Sequence, residues 1–143
     1  MRAVLQRVDG ARVVADGEVT GGFSGPGLVA LVGVAREDGP QQVAWLARKI
    51  ADLRIFDDER SAAELHAPVL VVSQFTLYAD VRKGRRPSWG GAAPGDIAEP
   101  LVDAVVDELR QRGLTVHTGR FGADMRVELV NDGPVTIIID TPQ

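Results

Sequence analysis

The first twenty residues fall into short valine-rich apolar runs that polar Asp-Gly pairs interrupt. Asp9-Gly10 separates the strand-like runs 2–8 and 11–15, and Asp16-Gly17 separates the second of these from residues 18–20. An Asp-Gly pair between such runs favours a hairpin, because both central positions of that turn prefer a positive φ. The pattern therefore predicts an antiparallel meander with a turn at each Asp-Gly pair.

Residues 27–34 are apolar on both faces of the pleat, which predicts a central strand covered from two sides. Further strand-like runs follow at 53–56, 69–77, 114–118, 126–130 and 135–140. With the opening runs, these make about eight predicted strands.

Two segments have the three- and four-residue apolar spacing of amphipathic helices. The first begins at Asp38-Gly39-Pro40, and its apolar positions are Val43, Leu46, Ala47, Ile50 and Ala51. The second runs from about Asp96 to Arg112 with Gly113 as its cap, and its apolar positions are Ala98, Leu101, Val102, Val105 and Leu109. Pro100 fits this helix only in the first turn, where its missing N–H costs little.

The order of these elements indicates the fold class. Hairpins link the first strands, and only two helices are available to cover the sheet, so a repeated βαβ arrangement is excluded. The sequence predicts an α+β fold with layered, mainly antiparallel β-sheets and two helices packed on one side, in β-β-α layers. No linker-like stretch divides the chain, and we expect residues 1–143 to form a single domain.

The composition narrows the possible chemistry. The 143 residues include 16 Lys and Arg, 20 Asp and Glu, two His and no Cys, for a net charge of −4. These numbers exclude a chain-wide basic surface, a thiolate nucleophile and a disulfide framework, and they indicate no metal and no cofactor. The sequence has no long apolar span and no signal-peptide pattern, so we expect a cytoplasmic protein without a membrane partner.

A basic loop at residues 82–86 is the one concentrated charge feature. No acid lies between positions 80 and 96, and the rest of the chain has twelve basic and twenty acidic residues, a net charge of −8. Such a patch can grip a phosphodiester backbone, and nearby Trp89 can stack on a base or anchor the loop. A solvated loop without a partner is the competing interpretation. The cations of the basic loop are Arg82, Lys83, Arg85 and Arg86.

Two polar segments interrupt apolar runs. Ser73-Gln74-Phe75-Thr76 follows residues 69–72 and would bring polar and aromatic groups and unpaired backbone N–H groups to the rim of a sheet. An amphipathic strand with one solvated face is the alternative. Gly133-Pro134 precedes a strand, where a turn is the simpler interpretation. His66 and His117 lie in different segments, so the spacing does not support a serine-hydrolase triad.

Four motifs in this order closely resemble the D-aminoacyl-tRNA deacylase family, also called the D-tyrosyl-tRNA deacylase type. The resemblance begins at Gln6-Arg7-Val8 and covers essentially the whole chain. The motifs are SQFTL at 73–77, RRPS at 85–88, TGRFGADM at 118–125 and NDGPVT at 131–136.

The resemblance implies an enzyme that hydrolyses the ester between a D-amino acid, or mischarged glycine, and the 3′-terminal adenosine of tRNA, and that rejects L-aminoacyl-tRNA. It implies that a homodimer carries out translation proofreading with aminoacyl-tRNA as its partner. Neither DNA nor a membrane is an expected partner. An enzyme that accepts many D side chains cannot use a fitted side-chain pocket. A rigid backbone wall at the position of an L side chain would be sufficient to reject L-amino acids. Glycine has no side chain, so the same wall would not exclude it.

The resemblance also implies the site residues. Ser73, Gln74, Phe75 and Thr76 would act in catalysis largely through the backbone, with the 2′-hydroxyl of the RNA assisting. Gly133 and Pro134, joined by a cis peptide in the family and braced by Arg7, would provide chiral selection across the subunit interface. The substrate-binding residues would be Phe121 and Met125, and the tRNA-backbone residues Arg82, Lys83, Arg85 and Arg86.

One segment departs from the family. Residues 57–68 are shorter than usual and lack the usual Gly-Lys-Met-Asn stretch, from which we expect a trimmed connection with activity kept. A non-catalytic module that binds an RNA end or a nucleotide is the competing function.

Overall fold

The computed structural model describes residues 1–142, and these contain five β-strands and three α-helices. The strands are β1 (Arg2–Ala15), β2 (Glu18–Gly33), β3 (Val69–Ser73), β4 (Val116–Thr118) and β5 (Met125–Asp140). The helices are α1 (Pro40–Asp52), α2 (Ala62–Leu65) and α3 (Gly95–Gln111), and two 3₁₀ helices cover Asp57–Glu59 and Phe75–Tyr78.

All five strands belong to one mixed sheet in the order β4-β3-β2-β1-β5. β1 pairs antiparallel with β2 and β5, whereas β3 lies parallel to β2 and β4. The predicted central strand is confirmed, because residues 28–32 of β2 pair with β1 on one side and β3 on the other.

One of the two predicted turns is wrong. Asp16-Gly17 does connect β1 to β2, and both residues have a positive φ. Asp9-Gly10 instead lies inside β1, where the register to β2 shifts between Asp9 and Ala11 and Gly10 has a φ of 88°. A glycine with positive φ serves a β-bulge as well as a turn, and β1 continues because β2 is long enough to pair with both halves.

The structure has fewer strands than the roughly eight predicted, because several runs merge, one run is not a strand and another is shorter than predicted. Residues 53–56 make only an isolated bridge, from Phe56 to Arg60. The strand predicted at 69–77 stops at Ser73, and the chain continues into a 3₁₀ helix. The runs 126–130 and 135–140 both belong to β5. Periodicity alone does not distinguish short apolar runs in strands from those in other buried backbone.

Both long helices are confirmed, with one correction. α1 begins at Pro40 and buries all five predicted positions, and α3 buries four of its five, with Leu101 only half-buried. Pro100 does not lie in the first turn, since Pro94 caps α3 and the helix begins at Gly95. The carbonyl of Asp96 loses its N–H partner, but both residues are exposed, so water can take that hydrogen bond.

The α+β fold class is confirmed, with α1 and α3 packed on one face of the sheet. The core on this face includes Leu5, Leu28 and Val69 from the strands and Leu46 and Leu109 from the helices. The opposite face has its own core, built from Val8, Ala11, Val13, Val29, Leu70 and Val72. A sheet buried on both faces explains why residues 27–34 read as continuously apolar.

The second layer comes from the same sheet, which curls over itself. Thr20 in β2 donates a hydrogen bond to the carbonyl of Thr118 in β4 at 3.2 Å, although β3 separates these strands in the sheet. Glycine is required at Gly21, because a Cβ there would lie 2.7 Å from the same carbonyl oxygen. The predicted layers therefore arise from one curled sheet and not from separate stacked sheets.

The connection at residues 57–68 is held to the core around α2, although most of its side chains are exposed. Ser61 and Glu64 form a capping box at the start of α2, and Ala62 and Ala67 are buried in the core on the helical face. This connection therefore folds onto the core through α2, and its being trimmed relative to the family with activity kept stays a prediction. None of the helices within residues 1–142 has the length and apolar run needed to cross a membrane.

Candidate functional site

The candidate site begins where β3 stops pairing. The last hydrogen bond along this strand runs from the N–H of Gln74 to the carbonyl of Val32 in β2, at 2.7 Å. The chain then turns into the 3₁₀ helix Phe75–Tyr78, whose first bond joins the N–H of Leu77 to the carbonyl of Gln74. The N–H groups of Phe75 and Thr76 open this helix and have no acceptor among the described residues. Two adjacent backbone donors are therefore unpaired within the described chain.

The polar side chains beside these donors are already engaged. The side-chain amide of Gln74 donates to the hydroxyl of Thr76, and Ser73 is half-buried at the end of β3. No His, Asp, Glu, Lys or Cys side chain lines the same cavity in the described chain, so neither hydroxyl has a neighbouring general base there. The side chains are suited to shaping the site, and the donors are backbone.

A cavity of about 320 Å³ lies against this turn. Its walls come from the ends of β2 and β3, the first 3₁₀ residue Phe75, the segment before α3 and the start of α3 itself. It is mainly apolar, and Arg36 is its one charged side chain among the described residues. The lining residues are Val32, Val34, Arg36, Ser73, Gln74, Phe75, Trp89, Ala92, Ala93, Pro94, Gly95, Ala98, Val102 and Phe121.

Three aromatic side chains surround the cavity. Phe121 is half-buried, and a Cβ at Gly95 would lie 3.4 Å from its ring. Phe75 and Trp89 are exposed at the mouth, with an edge-to-face contact between their rings. An apolar cavity with aromatic walls and a few polar groups is the usual form of a site for a flat organic ligand.

A cluster behind the 3₁₀ helix holds its far end. Arg2 donates to the carbonyl of Leu77 at 2.9 Å, lies over the ring of Tyr78 and pairs with Asp140 at 2.7 Å. The hydrogen bond to Asp140 raises the pKa of Arg2. Burial, with the nearby Asp38 carboxylate, raises the pKa of Tyr78 to about 12, so both side chains keep their protons.

The basic loop follows this helix and is exposed throughout. Arg82 pairs with Asp80 through two side-chain contacts of 2.9 and 2.7 Å, and its N–H donates to the same carboxylate. These hydrogen bonds lower the pKa of Asp80 to about 2, so the pairing holds above that value and is lost as the pH falls through it. Arg82 is therefore partly neutralised, whereas Lys83, Arg85 and Arg86 form no ion pair with described residues.

Gly133-Pro134 lies in a wide bulge of β5. β1 advances from Val8 to Gln6 while β5 advances from Asn131 to Thr136, so the intervening residues leave the ladder. The Gly133–Pro134 peptide bond is cis, and both residues are exposed.

Arg7 and Asn131 brace the bulge. The Arg7 guanidinium, 15% exposed, lies 3.1 Å from Asp132, although not in hydrogen-bond alignment, and also donates to the carbonyl of Ile55 at 3.0 Å. The side-chain amide of Asn131 donates to the carbonyls of Arg7 and Val135, at 3.0 and 3.2 Å.

The structure brings together only some of the predicted site residues. Ser73, Gln74, Phe75 and Phe121 line one cavity, with Thr76 next to it, whereas Gly133, Pro134 and Arg7 do not line it. Met125 packs against Gly119 at the start of β5, and its sulfur accepts a hydrogen bond from the N–H of Arg120. The predicted grouping of Met125 with Phe121 is therefore absent within the described chain.

The histidines also lie elsewhere. His117 is 6.1 Å from the ring of Phe23, in a different hollow beside β5, and His66 follows α2. Within residues 1–142, no three His, Cys, Asp or Glu side chains are grouped as a metal site requires.

Sequence reasoning missed several residues that build the cavity. Arg36 donates to the carbonyl of Gly90 at 2.9 Å and so ties the segment before α3 to the end of β2. Next to this contact, Ala92 forms an antiparallel bridge with Ala35, and the N–H of Ala93 donates to the carbonyl of Val34. The run of small residues at 90–93 was the available signal, because small side chains allow such a close backbone approach.

Comparisons with known proteins identify the family. The family model described as D-Tyr-tRNA(Tyr) deacylase matches residues 4–140. Two relatives, both called D-aminoacyl-tRNA deacylase, come from Kineococcus radiotolerans and Streptomyces coelicolor. They are 67% and 61% identical over 140 residues, covering 98% of this chain and 99% of each relative.

Two solved structures are also similar. A c-Myc DNA unwinding element binding protein matches with a TM-score of 0.91 and 38% identity over the whole of both chains. A probable eukaryotic D-amino acid tRNA deacylase matches with a TM-score of 0.84 over 96% of this chain and 97% of that one, but at 17% identity it bears on the fold alone. By its family model and its relatives, this chain belongs to the D-Tyr-tRNA(Tyr) deacylase family.

Proposed function

We propose that this protein hydrolyses the ester between a D-amino acid, or mischarged glycine, and the 3′-terminal adenosine of tRNA, and that it leaves L-aminoacyl-tRNA intact. The proposal places this proofreading in the cytoplasm. Family membership supports the hydrolase activity and the aminoacyl-tRNA substrate. The observation that carries the mechanism is the pair of unpaired N–H groups at Phe75 and Thr76, beside an apolar cavity of nucleoside size.

Those N–H groups are suited to hold a developing oxyanion. As water attacks the ester carbonyl, negative charge grows on its oxygen, and preorganised backbone donors stabilise that charge more than they stabilise the starting ester. The bond to the 3′-oxygen then breaks, which releases the free amino acid and restores the 3′-hydroxyl. The cavity would hold the terminal adenosine, with Phe121 against it, so that the ester lies near Phe75 and Thr76.

The 2′-hydroxyl of the terminal ribose would assist the attack. Ser73 and Thr76 are the two hydroxyl side chains of the 73–76 segment, and neither has a general base among the described residues that line the cavity. The Thr76 hydroxyl also accepts the hydrogen bond from Gln74. An RNA hydroxyl adjacent to the ester is already positioned by binding, so it would accept a proton from the attacking water and pass its own proton to the leaving 3′-oxygen, which a protein general base would otherwise do.

Chiral selection is assigned to Gly133-Pro134. Its backbone forms a bulge that Arg7 and Asn131 brace, which suits a rigid wall against an L side chain. Within its own chain the segment has little to contact, since a Cβ at Gly133 would meet only the Asn131 side-chain oxygen, at 3.2 Å. Met125 would contribute to substrate binding only in the assembled site.

A homodimer would complete the site. Gly133-Pro134 is exposed and does not line the cavity of its own chain, so the proposed wall must come from a second copy. β5 is a long edge strand, with Val130 63% exposed and Ile138 70% exposed on either side of the bulge. An uncovered apolar edge strand favours association, and a twofold pairing would supply one wall to each cavity.

The basic loop would bind the tRNA backbone. Lys83, Arg85 and Arg86 have no acidic partner within residues 1–142 and would contact phosphates, whereas Arg82 would mainly fix the loop through Asp80. We assign neither DNA nor a membrane as partner, and the name of the similar c-Myc DNA unwinding element binding protein makes duplex DNA the competitor to test. We propose that residues 1–143 form one deacylase domain.

The first test compares D- and L-aminoacyl-tRNA as substrates. The wall should exclude only the L side chain, so we expect D-aminoacyl-tRNA and glycyl-tRNA to lose their esters and the L form to survive. Release of labelled amino acid measures both rates. A module that only binds RNA ends would protect or ignore all three esters, and that result would reject the hydrolase.

The second test separates a protein nucleophile from backbone and substrate groups. Ser73→Ala and Thr76→Ala keep every backbone N–H, so most of kcat should remain, whereas loss of a true nucleophile costs several orders of magnitude. A D-aminoacyl-tRNA ending in 2′-deoxyadenosine should bind but resist hydrolysis. Single-turnover rates measure the chemical step in each case.

A folded, tRNA-binding Thr76→Ala variant without activity would contradict this mechanism. So would normal hydrolysis of the 2′-deoxy substrate.

The third test concerns the dimer. We expect a mass near twice 15.3 kDa by light scattering at micromolar concentration. Val130→Asp should shift the protein to monomer and abolish hydrolysis, because it buries a charge at the pairing edge. Leu65→Asp is the matched control, because Leu65 is also exposed but lies on α2. A fully active monomer would overturn the shared site.

The fourth test concerns the basic loop. Arg85→Ala with Arg86→Ala should weaken tRNA binding and reduce the slope of log K against log salt by about one for each lost phosphate contact. Arg48→Ala with Arg54→Ala removes the same charge from exposed positions on and just after α1 and should leave the slope unchanged. Two results would contradict the role of the loop in tRNA binding. One is duplex DNA that competes for the protein as well as tRNA does, and the other is equal salt slopes for the two double variants.

A further inference from the structure

Two aromatic rings are exposed to solvent at the mouth of the cavity. Phe75 is 55% exposed and Trp89 is 42% exposed. Their ring centroids lie 5.3 Å apart at an interplanar angle of 68°. An edge-to-face pair leaves a ring face uncovered, and stacking a flat group on that face would bury aromatic surface that water now contacts.

The backbone around Trp89 is fixed although its side chain is exposed. The N–H of Ser88 donates to the carbonyl of Asp80 at 3.0 Å, and the N–H of Ala92 donates to the carbonyl of Trp89 at 3.0 Å. Arg36 holds the next carbonyl, that of Gly90. A ring carried on a fixed turn loses little conformational freedom when a ligand covers it, which favours binding.

Trp89 lies between the cavity and the basic loop. It lines the cavity proposed for the terminal adenosine, and it follows Arg86 by only three positions in the chain. An RNA strand that leaves the cavity toward these cations must pass the two rings. Every tRNA ends in unpaired CCA, and unpaired bases stack readily on aromatic side chains.

We propose that Trp89, together with Phe75, forms a stacking platform for the base that precedes the terminal adenosine. This inference rests on the proposed function, because the adenosine must occupy the cavity for its neighbour to reach the rings. The platform explains how the enzyme binds an RNA end and not merely a free aminoacyl nucleoside. Stacking tolerates any base, so its contribution depends on the presence of a base and not on its identity.

The test uses two non-acylated trinucleotides, CCA and the same molecule with an abasic sugar in the middle position. Both keep the terminal adenosine and the phosphates, so they differ only in the base that would stack. Trp45→Phe leaves Trp89 as the single tryptophan of the chain, and its fluorescence reports contact directly. We expect CCA to quench this fluorescence and to bind about 5- to 150-fold more tightly than the abasic form.

Three variants at position 89 separate stacking from packing, with binding followed by calorimetry. Trp89→Ala should bind both trinucleotides equally, and Trp89→Phe should keep most of the preference for CCA. Trp89→Leu keeps apolar bulk against Phe75 but offers no ring, so it should behave like Trp89→Ala. In kinetics, Trp89→Ala should raise KM for D-aminoacyl-tRNA by a larger factor than it raises KM for a D-aminoacyl-adenosine, which has no second base to stack.

Equal binding of the two trinucleotides to the parent protein would overturn the platform. The same conclusion follows if Trp89→Ala weakens both trinucleotides alike, or if Trp89→Leu restores the parent's preference, because Trp89 would then only support Phe75. Failure of the proposed function would give a different result. A parent protein that prefers CCA but hydrolyses no D-aminoacyl ester would support the stacking platform and contradict the deacylase activity.

Discussion

The parallel pairing of β3 with β2 is the constraint on which the site depends. Ladder hydrogen bonds hold β3 in register as far as the N–H of Gln74, which reaches Val32. The N–H groups of Phe75 and Thr76 are then left without partners, because the chain bends into a 3₁₀ helix whose first turn cannot use them. A longer β3 would draw these donors into the ladder, and a shorter one would leave them on loose chain.

The surrounding packing keeps this bend in place. The cores on both faces of the sheet fix β3, since Val69 and Val71 face the helices and Leu70 and Val72 face the curled second layer. Arg2 holds the far end of the 3₁₀ helix through the carbonyl of Leu77. Preorganisation of this kind matters because loss of one donor in an oxyanion hole costs about 10²- to 10³-fold in rate.

Much of the fold follows from apolar spacing. The central run at 27–34 and the apolar faces of α1 and α3 could be predicted, because burial on defined faces leaves a periodic pattern. The bulge at Gly10 could not be distinguished from a turn, since both use a glycine with positive φ. The end of β3 was also missed, because the alternation of polar and apolar side chains continues to Leu77 while the chain stops pairing at Ser73.

The candidate site was less accessible to sequence reasoning. Motif resemblance drew attention to residues 73–76 and to Gly133-Pro134, but it carried no distances, and the structure keeps these segments apart within one chain. Arg36 and Trp89 join the cavity through backbone contacts of residues 88–92. Such contacts depend on how two distant segments meet, and the small residues at 90–93 indicate a close approach without showing which segment approaches.

The charge content of the cavity determines how the reaction responds to acid and base. Arg36 is the one charged side chain among the described residues that line it, and a guanidinium has no acceptor with which to act as a general base. A bell-shaped pH–rate profile reports an essential acid and an essential base. The described residues that line the cavity include no carboxyl, imidazole, amine or thiol side chain that could take either role. In the proposed dimer such a group must therefore come from the substrate or from the second copy, and a bell-shaped profile would point to one of these and not to the cavity of a single chain.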